Sequence, residues 1–351
     1  MPSGDAGVRR PDAQRDRIRA VCGFPLTAAQ HARLESAAPQ IVVVAGTIDS
    51  QLDIDDRSDH TAEILFADYA PSDLTRWPSL RWLQYSGAGV DALSGQAPWS
   101  KGVTVTTASG ANAVAVAEYV LAAVLGISQR AAARRARQVD RCWATSAERA
   151  ELVGRSMARQ TITAVGYGSI GREIARLAHA FGMRVLAVKA RPSVRVHHGY
   201  NPPGRGDPNG VIPERIVGPR DLGAAVGAAD VVVVAAPLTD RTRASLGTNV
   251  LAAMRRDAWL VNVGRGDLFV ESQLIDAIEH GRLAGAVLDV TATEPLPADS
   301  ALWDLANTVV TPHVAGDFDG VWDAVLDLAI ENLRRYVCGR ELFNVVEADG
   351  Y

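Results

Sequence analysis

A chain of 351 residues, 48% of them hydrophobic, is long enough for two domains with a core each. A net charge of −4 and a pI near 6.0 give no basic field that would gather nucleic acid, and there is no uncharged apolar run of roughly eighteen or more residues that would span a bilayer. The three cysteines, Cys22, Cys142 and Cys338, lack metal-ligand spacing, and their odd number argues against a disulfide framework, which fits a reducing cytoplasm.

In chain order, residues 1–17 lack the apolar core of a secretory signal and are expected to form a disordered leader. Residues 18–22 read as a strand, Thr27 as the cap of a helix running to Ala37, and residues 41–45 as a second strand. Apolar runs at 62–67 and 80–85 continue the alternation, which favours a parallel sheet covered by helices on both faces. The loop Ser86-Gly87-Ala88-Gly89 follows the second run, at the carboxyl edge where open α/β sheets bind ligands. Its N–H groups suit a small carboxylate; a plain glycine turn with Asp91 capping a helix is the equal alternative. Ser109 to Asn112 then breaks the pattern before a long helical stretch, 113–139, where the chain is expected to cross between domains. The arginines of 130–141 alternate with alanines and read as the solvated face of a helix.

The most informative stretch begins at Thr161. Five β-branched and apolar residues lead into Gly166-Tyr167-Gly168-Ser169-Ile170-Gly171, and an amphipathic helical pattern follows on Ile170, Ile174, Leu177, Ala178 and Phe181. Strand, glycine turn and helix in this order make a phosphate cradle. Gly166 permits the tight exit, Gly168 lets backbone approach a pyrophosphate, Gly171 lets the helix pack on the sheet, and the first helical N–H groups face the anion. A second strand at 183–188 completes the context that separates a dinucleotide fingerprint from a chance glycine triplet. The earlier unit carries no such triplet and is therefore not the cofactor domain.

Short β-branched runs at 230–236, 259–263, 286–290 and 308–311 extend the parallel sheet. Residues 194–219, with five glycines and four prolines ahead of Pro219, read as an irregular excursion. The adjacent His197 and His198 lack the companions a metal site needs, and no metal is expected. A helix at 321–337 and a short tail end the chain.

Beyond the glycine turn, Asn262-Val-Gly-Arg265-Gly266, Asp289-Val-Thr-Ala-Thr-Glu294-Pro295-Leu296 and Thr311-Pro-His313-Val-Ala-Gly316 recur in a telling order. With Ala113-Val-Ala-Val-Ala-Glu118-Tyr119 and Ala236-Pro237-Leu238-Thr239, they resemble the D-isomer-specific 2-hydroxyacid dehydrogenases over residues of about 80 to 346. The resemblance implies two doubly wound α/β domains, a Rossmann cofactor domain inserted into a flavodoxin-like substrate domain. The implied boundaries are 18–110 and 313–351 for the substrate domain and 111–312 for the cofactor domain.

It also implies roles. Arg265 matches the substrate arginine, whose fork suits the carboxylate and keto oxygen of a 2-oxo acid. His313 matches the acid/base that protonates the developing alkoxide, and Glu294 the carboxylate that pairs with it, since an adjacent anion favours a protonated imidazole. Asp289 matches an acid near the nicotinamide carboxamide, Ala236-Pro237-Leu238 the place where the family's chain passes the cofactor, and Ser86 to Gly89 the carboxylate loop. The 113–139 stretch matches a subunit contact and implies a homodimer.

One departure bears on the cofactor. Where most of the family has an acid for the adenosine ribose, this chain has Lys189, eighteen residues after Gly171, and then Arg191. Both favour NADPH over NADH, because an acid would repel a 2′-phosphate and these attract it. The expected activity is hydride transfer between a nicotinamide cofactor and a small 2-oxo or 2-hydroxy acid. A dehydrogenase of another small anion such as phosphite, and a non-catalytic cofactor-sensing corepressor, are the alternatives on the same scaffold.

Overall fold

The computed structural model describes residues 17–46, 48–90, 93 and 102–346. The leader expected over 1–17 lies almost wholly outside them, as does Asp91. The chain divides into two compact units, Met1–Asn112 with Asp319–Tyr351, and Ala113–Phe318.

The first unit opens with β1 (Ile18–Cys22), α1 (Ala28–Ser36), β2 (Ile41–Ala45), α2 (Gln51–Asp56), β3 (Ala62–Phe66), β4 (Trp82–Gln84) and β5 (Thr104–Thr106). Thr27 caps α1 through a reciprocal box with Gln30, which satisfies two otherwise orphaned N–H groups.

The second unit begins with α3 (Ala113–Ser128) and α4 (Ala131–Val139). The single helix expected over 113–139 is thus two helices bent by 64°. The break falls at Arg130, whose φ of 53° is left-handed and cannot continue a helix. The apolar pattern changes with it: α3 buries Val116, Ala117, Val120, Leu121 and Val124 at helical spacing, whereas α4 buries nothing. Among the described residues no single helix is long and apolar enough to cross a membrane.

After α5 (Arg149–Leu152), the second unit continues through β6 (Thr161–Val165), α6 (Ser169–Ala180), β7 (Arg184–Val188), β8 (Arg215–Val217), α7 (Leu222–Gly227), β9 (Val231–Val234), α8 (Thr248–Ala253), β10 (Trp259–Asn262), α9 (Glu271–Glu279), β11 (Gly285–Leu288) and β12 (Thr308–Val310). Its sheet runs β12-β11-β10-β9-β6-β7-β8, all parallel. The strand order reverses between β6 and β9, the switch point at which doubly wound sheets open a ligand crevice. β9 is four valines buried on both faces, as a central parallel strand requires. β8 lies inside the stretch expected to be irregular; three residues are too few for periodicity to reveal them.

The chain then returns to the first unit through α10 (Val321–Val337) and β13 (Val345–Val346), giving a sheet β13-β5-β4-β3-β1-β2 with β13 antiparallel at its edge. This is the flavodoxin-like order, and the fold is two doubly wound domains, one inserted in the other. α10 is tied to this sheet by chemistry as well as packing. Tyr336 stacks on Trp82 at 5.3 Å and its hydroxyl donates to Glu63 at 2.6 Å. The Asn332 amide donates to Gln84 Oε1 at 3.0 Å in a buried network that includes Thr106 and the Trp82 indole. Arg33 of α1 reaches Asp323 and Asp327 of α10.

Candidate active site in the second unit

Strands β6, β7, β9, β10, β11 and β12 of the second sheet each lead into a candidate residue at its carboxyl edge, and neighbouring strands place those residues in a row. At the end of β6, Gly166 has φ +98° and its N–H donates to the Val188 carbonyl at 3.0 Å. A Cβ there would lie 2.6 Å from Ala235 and from the Ala236 nitrogen, so this turn and the β9 exit are in direct contact. A Cβ on Gly171 would strike the Gly166 carbonyl. Gly168 differs: nothing lies within 4 Å of where its Cβ would be, so the protein's own packing does not require a glycine there. Gly168 is also the N-cap of α6 and offers no side-chain acceptor to the first helical N–H groups. An open approach to unpartnered donors is what a pyrophosphate needs, and the residues fit a dinucleotide.

Beyond Ala236, the 237–242 turn is closed by Thr242, whose hydroxyl donates to the Pro237 carbonyl at 2.7 Å, while Leu238 packs against the core. At the end of β10, Asn262 shapes the next turn: Gly264 N–H donates to its Oδ1 and its Nδ2 donates to the Arg265 carbonyl, both at 3.1 Å. Arg265 stands between two glycines that must be small. A Cβ on Gly264 would be 2.9 Å from the Ala236 carbonyl, and one on Gly266 would overlap Thr291. The guanidinium is half-buried and donates to the Gly264 carbonyl at 2.8 Å.

At the ends of β11 and β12, His313 Nδ1 lies 2.8 Å from Glu294 Oε2, and Glu294 Oε1 accepts from Thr291 N–H at 3.1 Å. His313 has a left-handed backbone, φ +56°, which costs a non-glycine residue about 1–2 kcal/mol. Asp289, 2% exposed, holds it there. Its carboxylate accepts from Thr311 Oγ1 at 2.6 Å, Val314 N–H at 3.0 Å and Ala315 N–H at 2.9 Å, and its carbonyl accepts from His313 N–H at 2.8 Å. The Asp289 side chain, expected near the nicotinamide, is thus engaged in shaping the histidine turn. Tyr119 of α3 completes the set, its hydroxyl 2.6 Å from Thr311 Oγ1. Because Thr311 donates to Asp289, Tyr119 donates to Thr311. Tyr119 lies in the Ala113 to Tyr119 motif, but its partner is 192 residues away, beyond any local pattern.

On the other side of β6, Lys189 and Arg191 follow β7. Arg191 is exposed; the Lys189 ammonium donates to the Val194 carbonyl at 2.8 Å, and burial lowers its pKa, with Arg172 and Arg191 adding to the effect. The stretch after Arg191 forms a strap fastened to α6. Arg172, fully buried, donates to the carbonyls of Asp207 and, at 2.6 Å, Arg195, and stacks over the Tyr167 ring at 4.6 Å. The Asp207 carboxylate accepts from the Tyr167 hydroxyl at 2.6 Å and from Val211 and Ile212 N–H at 3.0 Å. Glu173 accepts from Gly206 N–H at 2.6 Å. The Tyr167 side chain therefore points into the unit's interior, burial pushes its hydroxyl pKa up, and only its backbone borders the turn. Ser169 Oγ donates to the Tyr200 carbonyl at 3.1 Å and lies 3.0 Å from His197 Nε2. Ile170 is half-buried. The sequence signal for the strap was the pair Arg172-Glu173, charges on the buried side of an otherwise amphipathic helix.

Within the first unit, the Ser86 to Gly89 loop leaves the carboxyl end of β4. Ser86 Oγ donates to Asp68, whose pKa burial raises, and the Gly87 carbonyl accepts from Ala108 N–H at 2.9 Å.

A doubly wound dinucleotide-binding unit that lines up a phosphate turn, an arginine and a histidine–carboxylate pair on one sheet edge defines a nicotinamide-dependent oxidoreductase. The description "D-isomer specific 2-hydroxyacid dehydrogenase, NAD binding domain" matches residues 121–315, more than half of the chain. The chain is 31% identical over 262 residues to the (S)-sulfolactate dehydrogenase of Chromohalobacter salexigens, covering 75% of this chain and 79% of that one. It is 30% identical over 281 residues to the glycerate dehydrogenase of Methylorubrum extorquens, covering 78% and 81%. The crystal structure of a D-isomer specific 2-hydroxyacid dehydrogenase from Xanthobacter autotrophicus Py2, in complex with NADPH and MES, superimposes with a TM-score of 0.75 at 25% identity over 95% of this chain and 98% of that one. The chain belongs to the D-isomer specific 2-hydroxyacid dehydrogenase family. It is an NAD(P)-dependent oxidoreductase acting on the CH–OH group of a small 2-hydroxy acid, or on the corresponding 2-oxo acid in reverse.

Proposed function

We propose that His313 is the proton donor, Arg265 the substrate anchor and Glu294 the orienting carboxylate for reduction of a small 2-oxo acid to its D-2-hydroxy acid. The observation that carries this reading is the 2.8 Å contact between His313 Nδ1 and Glu294. It commits Nδ1 to the carboxylate and leaves Nε2 as the nitrogen that meets substrate. The bound nicotinamide supplies the hydride. As negative charge develops on the C2 oxygen, His313 Nε2–H donates its proton there, and the Arg265 guanidinium holds the carboxylate and the same oxygen. The backbone N–H groups of Ser86 to Gly89 are the carboxylate-binding donors of the first unit, since the Ser86 hydroxyl is already given to Asp68. Gly166 to Gly171 hold the pyrophosphate, and Ala236, Pro237 and Leu238, with Asp289 behind them, wall the nicotinamide side.

NADPH is the preferred cofactor in this reading. Arg191 is exposed at the end of β7 and Lys189 lies beside it, two cations where an acid would select NADH. The NADPH held by the Xanthobacter relative supports the same choice. The active form is a homodimer built through α3 and α4; α4 buries no residue within its own chain, and its last residue Val139 and Trp143 just after it are 63% and 91% exposed. A cytoplasmic site of action accords with the free cysteines.

The test is steady-state oxidation of NADPH and NADH with glyoxylate, hydroxypyruvate and 2-oxo acids bearing a sulfonate or phosphonate. Turnover with at least one, at higher kcat/KM for NADPH, is expected. Tight cofactor binding without turnover on any of them would replace this reading with a sensor. Light scattering at micromolar concentration is expected to give the dimer mass.

A further inference from the structure

We propose that His197, carried by the strap and held against the first residue of α6, is a cofactor-specificity residue that binds the adenosine-side phosphate of NADP(H) and takes up a proton when that phosphate arrives. The proposal rests on the NADPH reading above and adds to it a residue that does not belong to the glycine turn or to the β7 strand end.

Three features of the geometry point to it. The first is placement. Nε2 of His197 lies 3.0 Å from Ser169 Oγ, and Ser169 directly follows Gly168, the glycine whose surroundings are open. The imidazole therefore stands at the mouth of the phosphate cradle, at the positive end of a twelve-residue helix. The second is fixation. His197 N–H donates to the Pro208 carbonyl at 2.8 Å. Two residues earlier the Arg195 carbonyl accepts from Arg172, and the Arg195 guanidinium donates to the Gly210 carbonyl at 3.0 Å. Strap and helix are joined through buried Arg172, Glu173 and Asp207, so the histidine is held in place before any ligand binds. Preorganisation of this kind lowers the entropic cost of recognition.

The third is the charge around it. The charged groups that lower His197 are Arg172 from α6, Lys189 from the end of β7 and His198 beside it in the strap; the nearest acid of the strap is Asp207, next to the Pro208 whose carbonyl accepts from His197 N–H. Burial, reinforced by these cations, holds the imidazole down at about 4, so it is neutral near pH 7. Asp207 acts on Arg172, but its carboxylate is taken up by the Tyr167 hydroxyl and two backbone N–H groups, and among the described residues no carboxylate is hydrogen-bonded to His197 or Lys189. A phosphate monoester carries close to two negative charges near neutral pH, and placed beside this ring it reverses the field that keeps the ring neutral. The imidazole then binds a proton and becomes a second donor toward the phosphate. NADH brings the shared pyrophosphate but no charge on the adenosine ribose, and so a smaller change of field at His197.

The sign of the linkage distinguishes this from ordinary phosphate binding. A 2′-phosphate titrates near pH 6, and a site made only of fixed cations would favour its dianion, so binding at pH 6.5 would release protons. With His197 taking part, protons are taken up. Isothermal titration of the full-length protein with NADP+ and with NAD+, at pH 6.5 and 8.0 and in two buffers of different ionisation enthalpy, reads both affinity and proton count. For the unmodified protein, net proton uptake with NADP+ at pH 6.5 is expected, and clearly less with NAD+. For His197→Asn, uptake should vanish and NADP+ affinity at pH 6.5 should fall about 5- to 20-fold, with a smaller fall for NAD+. The imidazole resonances of His197, assigned by their loss in the variant, should titrate near neutral pH with NADP+ bound and well below it in the empty protein; this measurement needs no folded variant beyond the assignment. Equal affinity of the unmodified protein for NADP+ and NAD+ would refute the NADPH reading. A preference for NADP+ that survives His197→Asn with unchanged proton count, yet is lost on Arg191→Ala, would refute the role of His197 alone.

Discussion

His313 takes a left-handed backbone at the end of β12, and Asp289, one strand away, spends its whole side chain on making that conformation hold. The proposed proton donor is therefore positioned by main-chain geometry, which Asp289 enforces. Glu294 supplies direction to the ring. With side-chain exposures of 46% and 39%, the pair adds about 0–1 kcal/mol to stability at most, so its contribution lies in orienting the imidazole.

From this follows a contrast between two variants. His313→Ala should lower kcat by about two to four orders of magnitude, the range for loss of a general acid, with cofactor affinity little changed. Asp289→Asn keeps the shape but weakens acceptance from two N–H groups and a hydroxyl. It should cost about 1–3 kcal/mol in unfolding free energy as well as turnover. Near-normal kcat in the alanine variant would remove His313 from the chemistry.

Tyr119→Phe tests the far end of the same chain. It removes the hydroxyl 2.6 Å from Thr311 and nothing else. A fall in kcat of about tenfold with KM for the 2-oxo acid nearly constant is expected, because orientation and not binding is disturbed. If thermal stability falls while kcat stays the same, Tyr119 only supports the fold.

The strap should report its attachment through stability. Asp207→Ala strips the acceptor from the Tyr167 hydroxyl and two N–H groups, all in buried or half-buried surroundings. Denaturant unfolding should show a loss of about 2–4 kcal/mol. The KM for the cofactor should rise more than the KM for substrate, since α6 begins at the phosphate turn.

Stability should also depend on pH through His197. Its folded value, about 4, lies below the ordinary 6.5, so the unfolded chain binds the extra proton first as pH falls. The contribution is complete above pH 6.5 and is lost between there and about pH 4, amounting to roughly 3 kcal/mol. In His197→Asn the unfolding free energy of the cofactor-free protein should fall less steeply over that window. Parallel curves for the two proteins would contradict a buried neutral imidazole.

Cofactor choice is tested at β7. Lys189→Asp with Arg191→Ala should raise the KM for NADPH by about tenfold or more and leave that for NADH within about threefold, and added salt should weaken NADPH binding selectively in the unmodified enzyme. Equal catalytic efficiency with both cofactors before mutation would show that these two residues do not read the phosphate.

Much of this protein is written locally. The capping box at Thr27, the strand-turn-helix around Gly166 and the β-branched runs at β9 and β10 depend on neighbours a few residues away, and periodicity reports such interactions. Arg265, Glu294 and His313 were singled out by the resemblance of the short stretches that hold them to those of a family, and local pattern alone assigned them no role. What periodicity could not report is who meets whom across the sheet. Sheet order brings β12 beside β11, and so Asp289 beneath the His313 turn; helix packing brings Tyr119 to Thr311 across 192 residues. The break at Arg130 had no local signal for the same reason, and the strap over α6 left only the charged Arg172 and Glu173 on that helix's buried side. A left-handed residue and a buried Arg–Glu pair are locally unfavourable, and only contacts made elsewhere in the fold offset their cost.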